Sequence, residues 1–190
     1  MPVFAIEGVN GSGKSTVSKQ VAHALDYEHV RFPGDSRTQL GKPVRELLYN
    51  GGFTNKHTKL FLFLADMAEV YGTLDTNKNY ITDRSIVSTV AYQSYEGVSK
   101  ELVYHCSHSA GIYINHVFYL DVDAGIAANR CDNRTEKTLG GFRNQPIEFY
   151  EQMDKEYREA LKGVAHTVID AEQSTENIVR NILDKIEELV

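Results

Sequence analysis

The stretch VFAIEGVNGSGKSTVSKQVAHAL, residues 3–25, decides how the rest of the chain is read. Val3 to Ile6 is a short apolar run of the length of one buried parallel strand. Gly8, Gly11 and Gly13 follow, then Lys14, Ser15 and Thr16, and Val17, Val21 and Leu25 recur at helical spacing. Gly8, four residues, then Gly13-Lys14-Ser15 is the spacing of a phosphate-binding loop between a strand and a helix. The chemistry requires these residue types. A polyphosphate is held by backbone N–H groups converging on it, which side chains would obstruct; glycine removes the Cβ and permits positive φ. The helix that starts near Lys14 adds its dipole and its unpaired N–H groups. Lys14 is then placed to reach outer phosphates, and the Ser15 hydroxyl to ligate Mg²⁺.

Working outward, Glu28–Phe32 reads as a second strand and runs into the turn Pro33-Gly34-Asp35-Ser36. Gln39–Tyr49 reads as a helix ended by Asn50-Gly51-Gly52. Lys56–Leu74 is a longer helix whose middle, LFLFLADMA, is apolar almost all round and is expected to be buried. Tyr80–Thr82 is a third strand delivering Asp83-Arg84 at its end, and helices are expected over 86–95 and 100–109. His116–Leu120 is a fourth strand, Ala124–Cys131 a helix, and 132–144 a polar segment rich in glycine and basic residues. Gln145–Leu161 is a helix with Phe149, Met153, Tyr157 and Ala160 on one face. His166–Ile169 is a fifth strand, and Thr175–Val190 a last helix striped by Ile178, Ile182, Ile186 and Leu189. This alternation predicts one α/β domain over 1–190: a P-loop three-layer α/β/α fold with a five-stranded parallel sheet and a lid segment at about 132–144.

The whole chain agrees with that plan. Its 190 residues suit one domain with a full core. Twenty Lys and Arg against 26 Asp and Glu leave a net charge of −6 with no basic block, which argues against nucleic-acid or anionic-membrane binding but not against a small polyanion met by local cations. Cys106 and Cys131 stand in no metal-ligand spacing and read as reduced thiols. No signal peptide or membrane span is read, so a cytoplasmic protein is expected.

Ligands of parallel sheets bind beyond the carboxyl ends of the strands. The glycine loop, Phe32-Pro33 and Asp83-Arg84 all stand at such ends. Asp83 is expected to orient Mg²⁺ or its waters, and Arg84 to hold a transferring or accepting phosphate. Arg31 and Arg37 flank the second strand end, where a second anion would need its own cation. Arg130, Arg134, Lys137 and Arg143, interrupted by Gly140-Gly141, suggest a lid that closes over phosphates. Gln93 has the paired donor and acceptor that read a base edge, and Phe63 a ring that stacks on a base.

Taken together, IEGVNGSGKST (6–16), RFPGDSRTQLGKPVRELL (31–48), ITDRSIVSTVAYQ (81–93), FYLDVDAGIAANR (118–130) and VIDAEQSTENIVRNI (168–182) resemble the motifs of the thymidylate kinases, nearly end to end. The resemblance implies transfer of the ATP γ-phosphate to a deoxynucleoside monophosphate, with Mg²⁺, by a dimer formed through helices. It implies ATP at Gly8, Asn10, Gly11, Ser12, Gly13, Lys14, Ser15, Thr16 and Arg130, with the loop after Asp170 beside the adenine. It implies the acceptor at Asn10, Phe32, Arg37, Phe63, Met67, Arg84 and Gln93, metal at Ser15 and Asp83, and catalysis by Lys14, Asp83, Arg84 and the lid cations Arg134 and Arg143. Three positions depart from the family pattern. Asn10 stands where an acidic residue meets the sugar 3′-hydroxyl, Met67 where an arginine reads the base, and Ser85 where tyrosine or histidine is usual. No arginine occurs between Arg45 and Arg84, while Asp66 and Glu69 would suit a base amino group. Alternatives therefore stay open: the same reaction on a different or modified base, a deoxynucleoside kinase, or a P-loop switch module.

Overall fold

The computed structural model describes residues 1–133 and 145–190. In chain order the elements are β1 (Val3–Glu7), α1 (Lys14–Leu25), β2 (Glu28–Arg31), α2 (Gly41–Asn50), α3 (Lys56–Gly72), β3 (Tyr80–Asp83), α4 (Ile86–Tyr95), α5 (Lys100–Ser109), β4 (His116–Asp121), α6 (Ala124–Asp132), α7 (Ile147–Ala160), β5 (His166–Asp170) and α8 (Thr175–Leu189). The strands form one sheet in the order β2-β3-β1-β4-β5, with every pairing parallel. A parallel neighbour can be reached only by a crossover, and the helices are those crossovers.

The pleat divides each central strand between two cores. Val3 and Ala5 of β1 face one and Phe4 and Ile6 the other. β4 divides in the same way, with Val117 and Tyr119 against Phe118 and Leu120. On one side of the sheet α1 and α8 supply Val17, Val21, Ile178, Ile182 and Ile186. On the other, α3, α4 and α7 supply Leu60, Val87, Val90, Met153 and Tyr157. The expected three layers and five parallel strands are thus both present. β1 connects onward to β2 on one side of the sheet and its neighbour β4 to β5 on the other, and these diverging connections open a crevice at their C-terminal ends.

Three burial expectations need correction. The apolar middle of α3 is not enclosed: Leu60, Leu64, Met67 and Val70 are buried, but Phe61 is 56% exposed. A helix packed by neighbours on part of its circumference leaves the remainder open, whatever its composition. On α7 Tyr150, not Phe149, joins Met153, Tyr157 and Ala160 in the core, and Phe149 is only partly buried. The stripe of α8 stops at Ile186, and Leu189, in the last turn, is 43% exposed.

Ile182 is fully buried in the layer beneath the sheet. Ile182→Ala is expected to lower unfolding free energy by about 2–5 kcal/mol through the lost contacts and the cavity left behind, read from the urea midpoint.

Candidate active site

The glycine loop joins β1 to α1 at the crevice. Gly13 has φ +94°, and a Cβ built on it would meet nothing within 4 Å, so the loop opens onto free space. Gly11, at φ +89°, packs against α6 so closely that a Cβ would lie 2.2 Å from the Ala127 carbonyl oxygen. The first turn of α1 has no side-chain cap. By contrast, α3, α4, α5, α6 and α8 are capped by Asn55, Ser85, Ser99, Asp123 and Ser174. An uncapped N-terminus behind a glycine loop leaves N–H groups for an anion. Lys14 Nζ donates to the Val9 carbonyl oxygen at 3.0 Å, curled back over the loop. Ser15 and Thr16 are exposed at the helix start.

At the end of β3 the backbone turns sharply. Arg84 has φ +74°, a left-handed conformation that costs a non-glycine residue about 1–3 kcal/mol. Its N–H donates to the Ile6 carbonyl, which fastens the turn to β1. The side chain then lies over the glycine loop: Nη2 donates to Asn10 Oδ1 at 2.5 Å, and Nη1 to Tyr157 Oη at 3.1 Å and Ser88 Oγ at 3.3 Å. Burial disfavours this guanidinium, but Tyr157, Tyr92, Glu7 and Asp83 outweigh it and hold its pKa above the ordinary value. Beside it, Asp83 is buried, and its Oδ1 has no hydrogen-bond partner. The Asn10 Nδ2 is also buried without a partner.

Glu7 anchors this arrangement, and the sequence reading passed over it. It is fully buried and accepts from Ser85 Oγ at 2.6 Å, Ser88 N at 3.1 Å and Ser88 Oγ at 2.5 Å. Desolvation raises its pKa despite those bonds and the nearby Arg84. The available signal was a lone carboxylate closing an apolar strand, a charge that a core accepts only when it is satisfied.

A cavity of about 360 Å³ adjoins Arg84. Phe32, Phe63 and Met67 wall it, and Gln93, 1% exposed, borders it with Oε1 unpartnered. Phe32 is seated by stacking on Tyr71, with ring centroids 6.2 Å apart. The structure therefore brings Arg84, Phe32, Phe63, Met67 and Gln93 together around one cavity. It does not bring Arg37 there. The Arg37 guanidinium pairs with Asp35 at 2.8 Å and donates to the His29 carbonyl at 2.8 Å, so it is spent on its own turn. Arg45, which sequence reasoning missed, instead donates to the Pro33 carbonyl at 2.7 Å beside the pocket. Nor does Asp66 line the cavity. It lies beneath, accepting from the Gly34 N–H at 2.8 Å, while Glu69 is exposed. The Asp66 carboxylate is held at the Gly34 turn and so does not face the cavity.

Arg130 reaches from α6 towards the carbonyls of Gly11, at 3.4 Å, and Ala171, at 3.5 Å, and so spans the glycine loop and the loop after β5. Arg134, Lys137 and Arg143 lie outside the described residues. Among those described, no group of three or more His, Cys, Asp and Glu could hold a metal ion, and no helix is long and apolar enough to cross a membrane.

The geometry is that of a phosphate loop facing a second, partly apolar pocket across one arginine. A family model described as thymidylate kinase matches residues 6–182. The chain belongs to the thymidylate kinase family. The family is one of nucleoside monophosphate kinases, so the chain is a transferase of that kind. It is 32% identical to a thymidylate kinase of Sulfurimonas denitrificans over 192 residues, covering 96% of this chain and 98% of that one. A thymidylate kinase of Onion yellows phytoplasma is 31% identical, with 98% and 97% covered. Another, from Staphylococcus haemolyticus, is 32% identical, with 95% and 98% covered.

Asp66 yields a pH-dependence test. Desolvation raises its pKa from 3.8 to about 6 in spite of the Gly34 N–H. The folded state thus binds the proton more tightly than the unfolded chain, and this group makes stability fall as pH rises from about 4 to about 6. Asp66→Asn keeps an acceptor for Gly34 and removes the charge. It is expected to stabilise the protein by about 1–3 kcal/mol above pH 6 and to lose that advantage near pH 4, read by urea unfolding across that range.

Proposed function

We propose that this chain transfers the γ-phosphoryl group of ATP to a deoxynucleoside monophosphate, with dTMP the foremost acceptor. The observation that carries this reading is the Arg84–Asn10 bond: one guanidinium spans the glycine loop and the adjoining pocket, where two phosphate-bearing substrates would meet end to end. The family membership points to the same reaction.

In this reading an oxygen of the acceptor phosphate attacks the γ-phosphorus in line. A new P–O bond forms as the bond to the β–γ bridging oxygen breaks, and ADP leaves with that electron pair. The attacking oxygen is already anionic, so no strong base is needed, and catalysis rests on position and charge. Gly8, Gly11, Ser12 and Gly13 frame the donor phosphates, with the first-turn residues Ser15 and Thr16. Lys14 exchanges its Val9 carbonyl for their outer oxygens. Arg84 holds the acceptor phosphate against the transferring group. Phe32, Phe63 and Met67 enclose the base, Gln93 meets its edge, and the unpartnered Asn10 Nδ2 faces the sugar hydroxyl. Arg130 borders the adenine, and Arg134 and Arg143 supply lid cations. We give Arg37 a role in its turn rather than at the acceptor.

Asp83 and Ser15 fit Mg²⁺. The unpartnered, buried Oδ1 of Asp83 suits a cation, and Mg²⁺ characteristically takes its remaining ligands from phosphates and water rather than from a protein cage. When bound it would neutralise phosphate charge. A single domain acting as a homodimer in the cytoplasm completes the proposal.

Lys14→Ala is expected to lower kcat at least about 100-fold while leaving the melting temperature close to wild type. ADP release with ATP, Mg²⁺ and a panel of nucleoside monophosphates is the assay. Retained turnover in that variant, or a preference for thymidine over dTMP, would overturn the reading.

A further inference from the structure

The cavity beside Arg84 has a polar far end that phosphoryl transfer itself does not use. Along α4 its lining runs from Ser85 to Glu96, about 16 Å at the rise of an α-helix. Along α3 it is Lys59, Phe63 and Met67, spaced by four so that they form one stripe. At the end away from Arg84, Lys59 Nζ donates to Glu96 Oε1 at 2.5 Å and ties the two helices together. Both side chains of that pair are only about a third exposed, at 35% and 34%. Gln93, one turn before Glu96, is 1% exposed, and its Oε1 has no partner. A nucleotide whose phosphate sits on Arg84 and whose base lies against the Phe63–Met67 stripe would turn its outer edge towards Gln93 and Lys59.

These groups specify that edge. A buried, unpartnered amide oxygen calls for an N–H donor on the occupant. An ammonium carries three donors, of which Glu96 takes one, and the next polar atom it faces must be an acceptor. An N–H beside a carbonyl is an imide edge, as in a 4-oxopyrimidine. A 4-aminopyrimidine presents the reverse: a bare ring nitrogen to the amide oxygen and an amino group to the ammonium. Met67 offers only a weakly accepting thioether sulfur and no donor with which to read a carbonyl.

Resting on the function proposed above, we propose that Lys59, aimed by Glu96, is the specificity-determining donor that reads the carbonyl of an imide-edged base beside Gln93. The test compares kcat and KM for dTMP and dCMP in the wild type, Lys59→Met and Lys59→Arg, with melting temperatures as a control. Lys59→Met is expected to raise KM for dTMP about tenfold or more, with kcat within about twofold and the dCMP constants unchanged, because a charge-assisted bond to a buried edge is lost. Lys59→Arg, which keeps a cationic donor, is expected to recover most of that loss. If wild type turns dTMP over and Lys59→Met matches it in KM and in the dTMP-to-dCMP ratio, the role of Lys59 falls while the function stands. If both variants lose kcat on both nucleotides together with melting temperature, Lys59 is structural and the proposal is overturned. If wild type phosphorylates no nucleoside monophosphate, the function fails first and this inference with it.

Discussion

The site depends on one guanidinium being held where it is both solvated by protein and aimed at the crevice. Arg84 follows the last residue of β3, in a left-handed backbone conformation that few side chains tolerate. On the core side its guanidinium is engaged by the Tyr157 and Ser88 hydroxyls, and Ser88 in turn donates to the fully buried Glu7. Removing Glu7 would leave the buried Ser85 and Ser88 hydroxyls and the Ser88 N–H without their acceptor, which is why this network is a constraint on the fold. The same Glu7 accepts from the Ser88 N–H and the Ser85 hydroxyl, so the carboxylate that holds the arginine's Ser88 partner also fixes the start of α4.

That coupling places the two halves of the site. β1 carries Glu7 and then the glycine loop, β3 carries Asp83-Arg84, and their parallel pairing sets Ile6 opposite Asp83. The loop and the arginine therefore share one sheet register, and Asn10 closes the gap between them. The pocket beyond is made differently, by stripes from α3 and α4 that meet across it. The glycine loop and Arg84 thus stand on adjacent strands of the central sheet, and the pocket on two helices packed over it.

In the function proposed above, this separation would let Met67 stand at the base without altering the glycine loop or Arg84. Met67 is 2% exposed and belongs to the main core cluster as well as to the pocket wall. Asp66 beside it serves the turn at Gly34 instead. The polar side chains Gln93, Lys59 and Glu96 line the pocket elsewhere, which is the ground for the base reading proposed above.

Residue types and spacing alone determined the alternation of strands and helices, the glycine loop with Lys14, and the Asp83-Arg84 pair at a strand end, because those signals are local: periodicity, turn chemistry and the demand for bare backbone at a phosphate. They also singled out Phe63 and Gln93, whose rings and amides suit a base. What they did not determine is which face of a helix meets which neighbour. That is why Phe61 stands in solvent, Tyr150 displaces Phe149, Asp66 turns from the pocket, Arg37 closes on Asp35, and Arg45 and Glu7 emerge as residues of the site. Each of those outcomes depends on contacts between segments remote in the chain, such as Glu7 with Ser88 or Arg84 with Tyr157, and a pairing across that separation is decided only when the sheet and its helices are assembled.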